Sequence, residues 1–170
     1  MIADSYQVKR VAIFLVIFLV LELIWIAARG SWVYRLIIDK LTVTSAVFFI
    51  NIIDSNALAH ALDASILTGG LAINILNGCE GIDILFLLLA VMLALPGSWL
   101  GKLQRILAMS ILVLTLNIVR IVLLVMIARY HRQYFDLVHG FIAPLIMIAV
   151  SMLILLVTPS KIKTAMPATL

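Results

Sequence analysis

The sequence predicts an all-α integral membrane protein: a bundle of four to five transmembrane helices with an extracytoplasmic or interfacial segment that contains a short hairpin-like stretch. Three observations predict it. Hydrophobic residues make up 65% of the 170-residue chain and charged residues only 12%, against about 45–50% and about 25% in a soluble domain. The apolar residues fall in runs near the ~20 residues that cross ~30 Å of hydrocarbon. Most of the Lys and Arg flank those runs. The length suits a single membrane domain over residues 1–170. The net charge of +4 is accordingly read as orientation and anchoring at the lipid headgroups, and no nucleic-acid partner is expected. One cysteine excludes an intrachain disulfide and a multi-cysteine metal site. Neither a cofactor nor a metal is expected, and no phosphate-cradling loop or internal repeat is present.

The first run, Val11–Ala28, follows Lys9 and Arg10. It is long for a signal peptide, and Ile26–Arg29 offers no small-residue cleavage site, so it reads as a retained helix. Ile82–Trp99, Ile106–Ala128 and Phe141–Thr158 read as three further spans. Residues 31–80 differ. Trp32–Lys40 is amphipathic, Leu41–Ile53 is a short apolar stretch, and Asp54, Asn56, His60 and Asp63 then break the pattern. Gly69-Gly70 separates two short β-branched segments and so reads as a hairpin-like turn. Such backbone cannot face lipid and must pack on protein or lie in the interface.

Charge gives the orientation. Lys9 and Arg10, Lys102 and Arg105, and Lys161 and Lys163 flank spans, and the positive-inside rule puts them in the cytoplasm. Four spans with both termini inside satisfy all three clusters, leaving Arg29, Arg35, Arg129 and Arg132 outside. A fifth span within 41–62 would put Lys9 and Arg10 outside. Residues 31–80 then form an outer-face or partly embedded segment of a protein of the cytoplasmic membrane.

The chemistry-bearing residues gather on that outer face. Cys79, in "ILNGCEGIDILFLLL", precedes a helix whose unpaired N–H groups favour a thiolate. Gly78 and Gly81 leave the backbone around it open. A free cysteine is often only a small buried hydrophobe, and charged Glu80 and Asp83 would oppose a thiolate, so activation requires a cation. Arg120 supplies one. It lies inside a span, where a charge usually faces the bundle interior, although snorkelling is the plainer alternative. Asn117 is one turn earlier on the same helix face and Ser110 two turns before that. Glu22, at a similar depth in the first span, is expected to neutralise or hold Arg120.

His139 opens the last span at the depth of Cys79, and a Cys–His pair is the minimum for thiol nucleophilic catalysis. Its plainer role is interfacial. Asp83, four residues after Cys79, either orients His139 or simply satisfies a helix N-terminus. His60 is the reserve base, and His131 reads as a loop residue.

"NGCEGI" (77–82), "NIVRI" (117–121) and "HG" (139–140) resemble, in order and spacing, the exosortase/archaeosortase family. The resemblance covers roughly residues 60–158. It implies a membrane-embedded cysteine transpeptidase or protease, with Cys79 as nucleophile, Arg120 as its basic partner, His139 as general base and acid, and Asn117 as the accompanying motif residue. It also implies partners: a substrate protein whose C-terminal sorting signal comprises a motif, a transmembrane helix and a basic tail, and a further acceptor. Many members carry Ser or Thr where this chain has Glu80. Longer members have more spans, so the chain is similar to a short form. Two readings compete: a small transporter subunit using Arg120 for an anion, and an assembly partner for polysaccharide export.

Overall fold

The computed structural model describes residues 2–75 and 80–157. Helix α1, Ile2–Ala28, exposes Val11, Leu15, Leu19 and Leu23 along its length, as suits a helix solvated by lipid. The chain turns at Gly30, and the Ser31 hydroxyl accepts from Tyr34 N–H at 3.2 Å to cap α2, Trp32–Ile53. The sequence divides this stretch into an amphipathic part and a short apolar part. The structure joins them in one 22-residue helix, because Asp39 and Lys40 interrupt the hydropathy without breaking a helix. Its middle, Leu36–Thr44, is π-helical. There the Thr42 and Thr44 hydroxyls donate to the carbonyls of Ile37 and Asp39, five residues back.

A three-stranded antiparallel sheet follows: β1 His60–Leu62, β2 Ser65–Thr68 and β3 Leu71–Asn74, in that order. The expected hairpin is β2–β3, closed by Thr68 opposite Leu71. Gly69 has φ +52°, and a Cβ there would lie 2.9 Å from Arg129 Nη1. Glycine meets both constraints.

Helix α3, Ile82–Ala94, ends short of the expected Trp99. Leu95 is extended, at ψ 150°, because the following Pro96 disfavours the helical conformation before it. Helix α4, Trp99–Tyr130, starts earlier than the expected Ile106, so Lys102 and Arg105 lie in its first turns. Helix α5, Arg132–Leu156, likewise begins before Phe141. Helices α1, α2, α4 and α5 are long and apolar enough to cross a membrane; α3 is shorter.

Two pairs of bonds fix how these helices run. Trp25 Nε1 donates to Glu80 at one end of the α1–α3 pair, and Arg10 Nη1 donates to the Ala94 carbonyl at the other. The two helices are therefore antiparallel. Lys102 Nζ caps the Leu93 carbonyl at 3.1 Å, so Arg10 and Lys102 meet at the same end. The opposite end is tied by Arg129, which makes an ion pair with Asp54 at 3.3 Å and donates to the Asn56 carbonyl and the Thr68 hydroxyl. The buried core of Trp25, Ile38, Ile50, Ile66, Ile121 and Val125 packs α1, α2 and the sheet against the C-terminal half of α4.

Candidate active site

Asn117 sets the depth of the site. Its Nδ2 donates to the Glu80 carbonyl at 2.8 Å, which levels the residue after Cys79 with the middle of α4. At 1.5 Å per residue, that level lies ~18 Å below Arg129 and ~22 Å above Lys102. Strand β3 brings the chain down to it. Thr68, before the Gly69-Gly70 turn, bonds Arg129, whereas Ile73, Asn74 and Ile75 lie against Arg120, Ile121, Leu124 and Val125. On this side the non-helical backbone of residues 73–75 packs on α4, as membrane depth requires.

Arg120 and His139 line one cleft, together with Ile73–Ile75 and Phe135. The His139 ring stacks on Phe135, with centroids 5.4 Å apart and planes 6° from parallel. It sits in a π-helical run, Val138–Ile142, a local widening that is often found at functional sites. The cleft holds about 30 Å³ of space, room for a water molecule or two. Ile75, the residue just after β3 and the last of this stretch to line the cleft, precedes Cys79 by four positions. Leu76–Cys79, and with it the expected nucleophile, lies outside the described residues; the described residues that flank it are Ile75, at the cleft, and Glu80, whose carbonyl accepts from Asn117.

The transmembrane exosortase family model matches residues 2–157. The chain belongs to the transmembrane exosortase family. No curated protein and no solved structure matches it. With four helices able to span, it is a multi-pass membrane protein of that family.

Within this exosortase-family chain, the remaining candidates fall in different places. Asn117 is buried and packs on Gly81, whose φ is +75°; a Cβ there would lie 2.9 Å from Asn117 Cγ. Ser110 does not extend a polar stripe toward the site, because its hydroxyl bonds back to the Ile106 carbonyl at 2.8 Å. Asp83 is exposed in the first turn of α3 and does not line the cleft. Glu22 does not line it either, and the charges that act on its carboxyl are Asp83 and Arg29. His60 is exposed on β1 and lines a separate groove with Gly69 and Gly70. His131 is exposed just after α4.

Glu80 departs most from what the sequence suggests. Its side chain is 2% exposed, with Trp25 Nε1 donating to Oε2 at 3.2 Å and Tyr34 OH donating to Oε1 at 3.0 Å. Burial pushes its carboxyl above the usual range, against the pull of those two bonds. A carboxyl raised in this way carries less charge at a given pH, so it opposes a thiolate on Cys79 less than a solvated glutamate would. Trp25 and Tyr34 were missed by sequence reasoning. The only available signal was that a buried Trp N–H or Tyr O–H needs an acceptor, which does not say which one.

Proposed function

We propose that the chain is a membrane-embedded cysteine transpeptidase that cleaves C-terminal sorting signals at the outer face of the cytoplasmic membrane. The observation that carries this reading is the shared cleft. Arg120 and His139 line it with Ile75, the residue after β3, four residues before the chain's single cysteine. A basic group and an imidazole beside a thiol-bearing loop are the parts that thiol acyl transfer needs.

The substrate's transmembrane helix docks against the bundle, with its motif at the cleft and its basic tail in the cytoplasm. The Cys79 thiolate attacks the scissile carbonyl, forming a C–S bond and placing negative charge on the carbonyl oxygen. Arg120 stabilises the thiolate, the oxyanion, or both. Collapse breaks the C–N bond, and His139 gives its proton to the departing amine. The resulting thioester is then attacked by an acceptor amine, or by water, with His139 taking the proton.

The test is co-expression with a protein that ends in a motif, a transmembrane helix and a basic tail. Substrate size and membrane retention are read at equal enzyme levels. The native chain processes the substrate; Cys79→Ala does not, and Cys79→Ser is nearly inactive, because a hydroxyl ionises far less readily than a thiol. Normal processing by Cys79→Ala ends the proposal in favour of a transporter or assembly role.

A further inference from the structure

The buried Glu80 side chain has no part in the acyl-transfer steps, yet it is the most completely enclosed acid among the described residues. Both its carboxyl oxygens are held, Oε2 by Trp25 on α1 and Oε1 by Tyr34 on α2. The two rings grip each other, with centroids 5.1 Å apart, and Phe86 of α3 meets Trp25 edge-on at 6.2 Å. The backbone carbonyl of the same residue is held from α4 by Asn117 at 2.8 Å. One residue therefore ties α1, α2 and α4 together. It is joined to Cys79 by a peptide bond.

We propose that Glu80 is a positioning residue for the nucleophile: a buried peg, gripped by Trp25 and Tyr34 and held from α4 by Asn117, that anchors the chain at the residue bonded to Cys79. Between the Glu80 Cα and the Cys79 sulfur only three soft rotations intervene, Glu80 φ, Cys79 ψ and Cys79 χ1, because the peptide bond between them is planar, so anchoring Glu80 limits the reach of the thiol. Holding reacting groups near attack geometry is worth orders of magnitude in rate, and an ångström of misplacement costs about 10²-fold. The peg also explains why glutamate is tolerated beside a thiolate. Its carboxyl points into the Trp25–Tyr34 grip. Glutamine fits the same grip, with its carbonyl oxygen accepting from one ring group and its amide donating to the Tyr34 oxygen. Alanine leaves both ring donors without their acceptor.

This inference rests on the transpeptidase reading, and two measurements separate their failures. The first is amide hydrogen exchange of the full chain in detergent, read on the peptide that covers residues 76–83. We expect exchange there to quicken about tenfold in Glu80→Ala and by a smaller factor in Tyr34→Phe, with residues 106–128 unchanged and Glu80→Gln close to native. Native exchange in Glu80→Ala overturns the peg whatever the protein's activity. The second is processing of a sorting-signal substrate at equal membrane abundance. We expect kcat to fall about tenfold or more in Glu80→Ala with KM little changed, and Glu80→Gln to restore most of the loss. Unchanged kcat in Glu80→Ala, or no rescue by glutamine, overturns the positioning role. If Glu80→Ala does not accumulate, Tyr34→Phe, which removes one bond and no bulk, decides on the same two readouts. Failure of the native chain to process any substrate counts against the transpeptidase reading, and the exchange measurement still decides the anchorage.

Discussion

Arg120 is one helical turn from Leu124 and one from Leu116, and the cleft it lines also holds the Phe135-backed ring of His139. A guanidinium offers a planar fork that can meet two oxygens, whereas an ammonium is a compact, strongly hydrated point charge. We therefore predict that Arg120→Lys lowers processing by about two orders of magnitude, the size seen when one oxyanion donor is removed. Membrane abundance stays normal, since both side chains carry the same charge. Full activity of Arg120→Lys at normal abundance contradicts the role. The sequence singled out Arg120 and His139, because an intramembrane arginine and a span-opening histidine stand out against an apolar background, and the two line one cleft. It did not locate the Trp25–Tyr34 grip on Glu80, because the three residues lie on separate elements and share no periodicity.

At the scale of elements, two joints hold the site at its depth. The inner one is Gly81 against Asn117. Its left-handed backbone and its 2.9 Å clearance both exclude a side chain. We predict that Gly81→Ala destabilises the protein by about 2–4 kcal/mol, combining the left-handed backbone penalty with overpacking, and that it removes activity. A thermal unfolding midpoint equal to that of the native chain contradicts this.

The outer joint is Asp54 with Arg129 and Tyr130. The Tyr130 hydroxyl donates to Asp54 and holds its carboxyl below the ordinary range, with the Asn56 N–H and the Arg129 guanidinium acting in the same direction. A carboxyl lowered by folding contributes stability that is fully present above its unfolded value of ~3.9 and is lost as pH falls through the folded one. We predict that the 54–75 cap resists pepsin at about pH 5 and becomes cleavable between about pH 4 and pH 2. Asp54→Asn should be cleaved without that pH dependence. An identical acid profile for Asp54→Asn shows that the joint does not govern the cap.

The whole molecule is a membrane bundle with an inserted cap. Helix α3, with 13 residues, rises only ~20 Å, short of the ~30 Å hydrocarbon thickness. The sheet and α2 pack on the C-terminal half of α4, so the cleft of Arg120 and His139 lies between the ends of the bundle. Arg10 and Lys102 share the far end, the end that the positive-inside rule assigns to the cytoplasm; Lys161 and Lys163 lie outside the described residues. We predict that a membrane-impermeant maleimide labels Cys79 in intact spheroplasts. Labelling only after the membrane is broken reverses the orientation and removes the sorting-signal proposal with it.

By itself the sequence determined the class of protein, its apolar runs, the Gly69-Gly70 hairpin and the identity of the charged and nucleophilic side chains that lipid would not tolerate without a reason. Composition and hydropathy carry that information, because transfer into hydrocarbon is priced residue by residue. Tertiary structure alone decided three further points. Trp32–Ile53 became one helix, since hydropathy registers Asp39 and Lys40 as a break that backbone bonding does not make. Pro96 ended α3 at Ala94, and of the segment before it Ile73–Ile75 came to line the cleft with Arg120 and His139. Glu80 turned inward to Trp25 and Tyr34, because a buried carboxyl must find donors wherever the packed elements supply them.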